Sequence, residues 1–455
     1  MAETQRITIY GRQPPCSNHV RLILRRGRRQ ETIQERNRKY DKPDDFIHHE
    51  SSDDDEDFVR GEALFLKTSF NFADYIRSRE FGAKEFKKFD RQYGSRHILS
   101  HDLLKEFPVK TDNLNKIFCS QWLNSRQIVF GTKCNKLIVY DVARRTPHRI
   151  PSLSGRQYLR HQEQPLGIYS IQINPSRSLL ATVGQNNREI AIYRLPTLDP
   201  ICVGERGHTN WIYDMCWVDD EYIVTGSKDS NMALWKIDKD LFKTSENENT
   251  LNYRWIQPVT VKRCKAAEII RAMVYNKCYR EIAVYSTNSY IHIWSAETFQ
   301  HKLSRKLPTR HDNPCLAIQN DGVYAIGCQS HTLLLDARTL QAVKKIPSKY
   351  SGAGVKSVSF LGSVLTIGTG VGTVMFYDLR AGKYLESSIN SNRTVMLRTS
   401  RGFVFPDEGY IDGVQNVKYT PAIYTHCYDS AGTRLFCAGG PLVQTLFGNY
   451  AGLWQ

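Results

Sequence analysis

Five positively charged residues stand at comparable places in the sequence, where they could bind an anion together. Lys133 and Lys228 lie in the turns GTKCN and GSKDS, and the others adjoin the first aliphatic residue of an apolar run: Lys116, Arg271 and Lys356. Ammonium and guanidinium groups form charge-assisted hydrogen bonds with carboxylates and phosphates. If the fold brings these side chains to one mouth, they predict an anion receptor. Otherwise they reflect only a chain rich in Lys and Arg.

Motifs for catalysis or metal binding are absent from the sequence. It contains no G-x-S-x-G, H-E-x-x-H or C-x-x-C, the patterns of esterase nucleophiles, zinc peptidases and thiol or zinc sites. The segment GAGVKS at 352–357 lacks the Gly-Lys spacing of a phosphate-binding loop. We therefore expect a binding protein, not an enzyme, with no catalytic residues, no metal and no cofactor.

A repeat that could position the five cations occupies most of the chain. Seven segments share an apolar strand, a short turn, a second apolar strand, a Gly/Ser/Thr turn and a third strand. The third strands end at Tyr140-Asp141, Tyr193-Arg194, Trp235-Lys236, Trp294-Ser295, Leu335-Asp336, Tyr377-Asp378 and Trp454-Gln455. Three of the intervals measure 41 or 42 residues, the length of a WD blade, and longer intervals carry insertions at 238–268 and 386–422. The sequence therefore predicts an all-β fold, a seven-bladed WD-repeat β-propeller.

His208 and Asp229, which alone could suggest a catalytic pair, belong to the clearest repeat. The same repeat contains Ser227 and Trp235. In a WD blade such side chains form a chain of hydrogen bonds from Asp to His, from His to Ser or Thr, and on to the Trp N–H. We therefore expect a structural role, in which each bond contributes about 1 kcal/mol.

The chain ends on the third strand of the seventh repeat, so the last blade needs an outer strand from elsewhere. We expect residues 90–112 to supply it, with HILSHDLLKEF at 97–107 as the candidate. Closing the ring in this way removes an exposed sheet edge.

Alignment of the first strands predicts which side chains surround the central channel. The residue after the first aliphatic should point into the mouth on one face, the top: Phe118, Tyr169, Tyr213, Arg271, Lys356 and Tyr424. Lys116 and Trp211 precede that aliphatic, and the turns that carry Lys133 and Lys228 lie on the same face. The five cations, Trp211 and Tyr213 are therefore candidate substrate-binding residues, and no Asp or Glu occupies the aligned positions.

Two Asp-x-Arg triplets follow the third strands of consecutive blades. They are Asp336-Ala337-Arg338 and Asp378-Leu379-Arg380. Their turns face the bottom of the propeller, opposite the cationic mouth. Two copies at the same position predict a second protein interface there.

Charge and composition separate the N-terminal part from the propeller. Residues 1–40 hold ten Lys and Arg against three Glu, whereas 41–57 hold nine Asp and Glu against Lys42, so most of the net charge of +16 lies elsewhere. We expect a disordered charged tail at 1–60, one or two short helices within 64–90 that either pack against the propeller or dock into a partner groove, and the propeller at 91–455. Scattered cysteines, no apolar leader and no apolar run long enough for a membrane span indicate the cytoplasm or nucleus.

These residues resemble the DDB-and-cullin-4-associated factors, the WD-repeat substrate receptors of cullin-4 RING E3 ubiquitin ligases. The two triplets match that family's W-D-x-R box, with Leu335 and Tyr377 in the Trp position. Longer matching segments spread over most of 64–455 are SQWLNSRQ (120–127), GTKCN (131–135), NPSRSLLAT (174–182), YRLPTLDPICVG (193–204), YTHCYDSAGTRLF (424–436), AGGPL (438–442) and GNYAGLW (448–454).

The resemblance implies a partner for each face of the propeller. Arg338 and Arg380, beside Asp336 and Asp378, would contact the DDB adaptor, and the segment 64–90 would insert into it. Lys116, Lys133, Lys228, Arg271 and Lys356 match basic positions of the family's pocket, which would bind substrates whose C-terminal degron ends in Glu-Glu.

One alternative uses the same charge differently, as a basic WD-repeat scaffold that binds RNA or chromatin through phosphate contacts. The convergence of cations on a single mouth favours acidic C-termini over nucleic acid. In the favoured interpretation the chain transfers no ubiquitin itself but raises the local concentration of substrate near the ligase.

Overall fold

The computed structural model describes the predicted propeller and little of the N-terminal part. The described residues are 7–8, 11–12, 80, 91–111, 113–156, 167–238, 253–308, 315–319, 322–349, 354–390, 393–405, 420–443 and 446–455. Except for Glu80 and the paired strands β1 (Ile7–Thr8) and β2 (Gly11–Arg12), the expected tail at 1–60 and docking segment at 64–90 lie outside the described residues. No helix in the described part has the length and apolar composition needed to cross a membrane.

Helix α1 (Arg91–Ser100) and strand β3 (Glu106–Pro108) precede the first three blades. The strands of these blades are rich in β-branched and aromatic residues, which favour extended structure. Blade 1 comprises β4 (Ile117–Trp122), β5 (Gln127–Thr132), β6 (Leu137–Asp141) and β7 (Thr146–Ile150). Blade 2 comprises β8 (Gln172–Ile173), β9 (Leu179–Val183), β10 (Ile190–Arg194), β11 (Pro200–Gly204) and, later in the chain, β15 (Arg254–Ile256). Blade 3 comprises β12 (Ile212–Trp217), β13 (Tyr222–Ser227), β14 (Asn231–Lys236) and β16 (Thr260–Arg263).

The remaining four blades repeat the same antiparallel order from the channel outward. Blade 4 comprises β17 (Ile270–Asn276), β18 (Glu281–Ser286), β19 (Tyr290–Ser295) and β20 (His301–Lys306). Blade 5 comprises β21 (Cys315–Gln319), β22 (Val323–Gly327), β23 (His331–Asp336) and β24 (Ala342–Pro347). Blade 6 comprises β25 (Val355–Leu361), β26 (Val364–Thr369), β27 (Thr373–Asp378), β28 (Lys383–Tyr384) and β29 (Met396–Arg398). Blade 7 comprises β30 (Phe403–Phe405), β31 (Ala422–Tyr428), β32 (Leu435–Gly440) and β33 (Phe447–Trp454), with β3.

The two predicted insertions contribute strands to existing blades. In the first, β15 pairs with β11 in parallel and widens blade 2. In the second, β29 pairs with β27 and β30 pairs with β33. Both insertions therefore cover sheet edges that would otherwise be exposed to pairing with another chain.

Blade 7 closes the ring with a strand from the start of the propeller, as predicted. Glu106 of β3 lies opposite Trp454 of β33, and the Val109 N–H donates to the Ala451 carbonyl at 2.9 Å. The outer strand is shorter than the candidate 97–107, because residues up to Ser100 form α1. Leu99 of that helix is buried in the core shared by blades 6 and 7, which explains why this stretch does not extend the strand.

Neighbouring blades meet where a glycine of the second strand faces the first aliphatic residue of the next blade. A Cβ on the glycine would overlap that aliphatic side chain in four pairs: Gly131 with Ile168, Gly226 with Ile270, Gly327 with Val355 and Gly368 with Ile423. Glycine in a strand allows this close approach. The first aliphatic residues are thereby held in place, and with them the residues that follow them into the channel.

Candidate functional site

A cavity of about 640 Å³ opens at the top of the channel. Four of the five predicted cations line it, together with both predicted aromatic residues: Lys116, Lys133, Arg271, Lys356, Trp211 and Tyr213. They come from blades 1, 3, 4 and 6. The structure therefore brings together residues that are up to 240 positions apart in the chain.

A β-bulge aims the channel residues into this cavity. In five blades the pairing of the first and second strands skips one residue, and the skipped residue is the one that follows the first aliphatic. The skipped residues are Phe118, Tyr213, Arg271, Lys356 and Tyr424. A bulged residue leaves the regular alternation of the strand, so its side chain can be redirected. The alignment of first strands identified these residues without detecting the bulge.

Aromatic rings form one wall of the cavity and hold Arg271. The rings of Phe118 and Tyr169 stack with centroids 4.8 Å apart, and Tyr169 meets Tyr213 edge to face at 5.0 Å. The guanidinium carbon of Arg271 lies 4.2 Å from the Tyr213 centroid and 5.0 Å from that of Tyr169. These cation–π contacts orient the guanidinium before any ligand binds.

Lys116 is the most buried cation of the site. Its side chain is fully enclosed, and its Nζ donates to the Leu446 carbonyl at 2.6 Å. Burial and, to a smaller extent, the nearby charge of Lys133 together lower the pKa of Lys116 to about 7. Burial also lowers the pKa of Lys133. Both shifts mean that the empty site disfavours positive charge, so an anionic ligand would stabilise the protonated lysines.

Lys228 does not line the cavity directly. Its Nζ lies 4.2 Å from the ring centroid of Trp211, which does line it. Its backbone N–H donates to the Trp211 carbonyl at 2.9 Å, just as that of Lys133 donates to the Lys116 carbonyl at 2.7 Å. The two turns are thus equivalent, but the Trp211 ring keeps the Lys228 ammonium at the edge of the cavity.

Sequence reasoning missed an acid and a histidine in the cavity wall. Asp214 follows Tyr213 and accepts hydrogen bonds from the Met215 and Met273 amides. Burial raises its pKa to about 6, although these bonds, one from Ser170 and the charge of Arg271 oppose the shift. His426 lies between the hydroxyls of Ser357 and Ser359, and burial lowers its pKa to about 4. The signal for Asp214 was present one position after the aligned channel residue, where this blade has an acid and other blades have small residues.

The propeller part of the chain matches the model of a known protein family. Residues 100–455 match the model described as the DDB1- and CUL4-associated factor 12 beta propeller. The chain belongs to this family. The match confirms the resemblance drawn from the sequence and narrows it to the family's twelfth member, the branch that the quoted segments resemble most.

A weaker similarity lies outside the DDB1- and CUL4-associated factor 12 family. Over 133 residues the chain is 30% identical to the guanine nucleotide-binding protein subunit beta of Saccharomyces cerevisiae. The aligned part covers 28% of each protein. The chain therefore matches about a quarter of the length of that curated relative.

The two Asp-x-Arg triplets that follow β23 and β27 lie in turns at the bottom face. Arg380 is exposed, and its backbone N–H donates to the Asp378 carboxylate at 3.0 Å. Arg338 is exposed as well, but its Nε donates to the Tyr279 hydroxyl at 2.8 Å. The two arginines stand on adjacent blades of the face opposite the cavity.

The aspartates of the two triplets, Asp336 and Asp378, are not equally accessible to solvent. Asp378 is 1% exposed, and its carboxylate also forms an ion pair with Arg96 of α1. Asp336 is half-buried and accepts hydrogen bonds from the Arg338 amide and the Thr339 hydroxyl. Among the described contacts, Asp378 therefore ties α1 to blade 6, a role that the sequence did not indicate.

The hydrogen-bonded chain in blade 3 is structural, as predicted, but one of its members differs. His208 Nδ1 lies 3.5 Å from Asp229 Oδ2, and its Nε2 lies 2.7 Å from the Thr225 hydroxyl. That hydroxyl accepts the Trp235 N–H at 2.9 Å. The prediction of Ser227 was wrong, because its hydroxyl donates to the Asn210 carbonyl instead. Thr225 and Ser227 point to the same side of the strand, and only Thr225 reaches the Trp235 ring.

Proposed function

We propose that this chain is the substrate-recognition subunit of a cullin-4 RING ubiquitin ligase, a non-catalytic receptor for proteins whose C-terminus ends in Glu-Glu. The observation that carries the proposal is the convergence of Lys116, Lys133, Arg271 and Lys356 on one cavity. A Glu-Glu terminus presents three carboxylates, two on side chains and one at the chain end. Each charge-assisted hydrogen bond contributes about 1.5–3 kcal/mol, so several together support micromolar binding.

The aromatic wall strengthens this proposal because it reduces the entropy lost on binding. Arg271 is already held between two tyrosine rings, and Lys228 already lies over Trp211. Ordering a flexible side chain on binding costs about 0.5–1.5 kcal/mol. A pocket whose cations are held in advance avoids part of that cost.

The opposite face would dock on the DDB adaptor of the ligase. Arg380 and Arg338 stand exposed there, and α1, which directly follows the segment 64–90 in the sequence, is anchored on the same side by Asp378. Separate faces would let substrate and adaptor bind at the same time, which raises the local concentration of substrate near the ligase. We place the protein in the cytoplasm and nucleus, where reduced thiols persist, since no disulfide joins the cysteines of the described part.

The test is binding of a short peptide that ends in Glu-Glu to the full chain, measured by calorimetry. The peptide should bind, and amidation of its C-terminus should weaken binding strongly. Lys133→Glu and Lys228→Glu should each abolish binding, because they place a negative charge beside the ligand carboxylates. Arg149→Glu, an exposed change on the outer strand of blade 1, is the matched control and should leave binding intact.

Adaptor binding should respond to a different set of changes. Arg380→Ala combined with deletion of 64–90 should prevent capture of the chain by the adaptor while leaving peptide affinity unchanged. Loss of both peptide binding and adaptor binding in both sets of variants would rule out separate faces for substrate and adaptor.

A further inference from the structure

The mouth of the cavity has an aromatic side and a cationic side. At the position after the first aliphatic residue, the neighbouring blades 7, 1, 2 and 3 carry rings that contact one another in turn, whereas blades 4 and 6 carry cations. In blade order these residues are Tyr424, Phe118, Tyr169, Tyr213, Arg271 and Lys356. The carboxylates of a ligand need only the cations, so the adjacent rings call for a further explanation.

Phe118 differs from the other rings because it is purely hydrocarbon and none of the described cation–π contacts involves it. Arg271, by contrast, lies over the rings of Tyr169 and Tyr213. The Phe118 ring stacks on Tyr169 with centroids 4.8 Å apart and meets the Tyr424 ring edge to face at 5.5 Å. Its side chain is half-buried and lines the cavity. The site therefore exposes an apolar ring beside its charges.

A structural role explains part of this arrangement. Phe118 stacks on Tyr169, which in turn contacts Arg271, so the ring helps to hold the guanidinium. That role does not require Phe118 to be exposed to the cavity. Contact between an apolar ring and water is unfavourable, and a ligand that covers the ring with carbon gains affinity. The face of the ring is negatively polarised and disfavours a carboxylate. The ring should therefore contact the carbon part of an acidic ligand.

In blade 1 this ring stands next to two cations. Ile117 of β4 pairs with Thr132 of β5. Lys116 and Phe118 flank Ile117 in the chain, Lys133 follows Thr132, and all three side chains line the cavity. A glutamate side chain has the same division, with a carboxylate at its end and two methylene groups before it. Its carboxylate can bind a lysine of blade 1 while its methylenes lie on the ring.

We propose that Phe118 determines a preference of the cavity for glutamate over aspartate at the chain end of the substrate. Its ring packs against the methylenes of one of the two terminal glutamates while the cations hold the carboxylates. This inference rests on the proposed function, since it assumes that an acidic C-terminus enters the cavity. Aspartate has one methylene fewer, and burial of one methylene corresponds to about a fourfold gain in affinity.

The experiment compares four short peptides that differ only in their last two residues: Glu-Glu, Glu-Asp, Asp-Glu and Asp-Asp. Calorimetry measures their affinities for the full chain and for its Phe118 variants. The wild type should prefer Glu-Glu over at least one singly substituted peptide by about fourfold or more. Phe118→Ala should reduce that preference by about fourfold, to the part that arises from the shorter reach of aspartate. Phe118→Leu keeps an apolar side chain and should retain most of the preference.

Tyr169→Leu is the matched control for the structural role of the stacked rings. It removes the ring between Phe118 and Arg271 but leaves Phe118 in the cavity wall. It should therefore weaken all four peptides by a similar factor. Comparing each variant with each peptide in a double-mutant cycle separates packing on the ligand from support of Arg271. Near-UV circular dichroism checks that every variant is folded.

Three results would overturn the inference while leaving the proposed function intact. The first is equal affinity of the wild type for all four peptides. The second is a preference for glutamate that persists unchanged in Phe118→Ala, which would assign it to reach alone. The third is an equal loss of preference in Tyr169→Leu, which would assign it to the support of Arg271. Failure of the wild type to bind any of the four peptides would instead contradict the proposed function itself.

Discussion

At the scale of single residues, the cavity contains lysines whose positive charge is disfavoured by burial. Lys116 is enclosed beside the charge of Lys133, and its pKa of about 7 leaves only part of its amine protonated at neutral pH. A ligand carboxylate would instead favour the protonated form of Lys116. Affinity for an acidic C-terminus should therefore be linked to the protonation of Lys116.

We predict that binding of a Glu-Glu peptide weakens as the pH rises above about 7. Below pH 7 Lys116 is protonated and attracts the carboxylates, and above it the unliganded lysine loses its charge, so binding must take up a proton. Asp214 gains its charge around pH 6, which produces a separate step at lower pH. Calorimetry in buffers of different ionisation enthalpy between pH 7 and 8 measures the proton uptake. The Lys116→Met variant should bind the peptide weakly, with no change in affinity near pH 7. If that change persists in the variant, it does not arise from Lys116.

The side chains of Thr225 and Ser227 offer a second comparison at this scale. We predict that Thr225→Val lowers the free energy of unfolding by about 1–3 kcal/mol, because both His208 and Trp235 lose their buried partner. Ser227→Ala removes one bond to the Asn210 carbonyl and should cost only about 0.5–1.5 kcal/mol. Urea unfolding monitored by tryptophan fluorescence compares the two variants. Equal destabilisation would argue against Thr225 as the shared partner of His208 and Trp235.

At the scale of elements, α1 connects the N-terminal part of the chain to the bottom of blades 6 and 7. Its Arg96 pairs with the buried Asp378, and its Leu99 enters the core of those blades. The Asp102 carboxylate just beyond it accepts the Ser387 hydroxyl at 2.9 Å. These contacts fix α1 against the bottom of blades 6 and 7.

We predict that Arg96→Ala increases hydrogen exchange in α1, because the helix loses its charged anchor and Asp378 is left buried without it. Exchange in the inner strands should not change. Tyr93→Ala is the matched control, since Tyr93 lies in the same helix and is 66% exposed. If the two variants change exchange equally, the ion pair does not hold the helix.

At the scale of the whole molecule, the ring is closed by the pairing of β3 with β33. Tyr450 donates a hydrogen bond to Glu106 of β3 at 2.6 Å, so the closing strand is attached by a side chain as well as by the backbone. An open seventh blade would expose β33 to other chains.

We predict that deletion of residues 1–111 lowers the Tm and causes aggregation, whereas deletion of 1–90 does neither. The longer deletion removes β3 and with it several backbone hydrogen bonds, each contributing about 1 kcal/mol. Thermal unfolding and size-exclusion chromatography on both proteins measure the difference. A stable monomer after the longer deletion would show that β3 is dispensable for closure.

Local repetition was enough to predict the blades and the positions of the channel residues. The order of strands recurs in all seven repeats, and the aromatic end of the third strand and the first aliphatic of the first strand recur in six, so a single chain contains its own internal alignment. The propeller, its seven blades and four cavity cations follow from that alignment because backbone pairing within a blade is local.

Contacts between distant segments could not be predicted in the same way. The bulges that redirect the channel residues, the displacement of Lys228 by Trp211 and the ion pair of Arg96 with Asp378 each depend on how separate strands meet in space. Repeat periodicity determines which residues form each blade, whereas register and packing between blades determine which of their side chains share a surface.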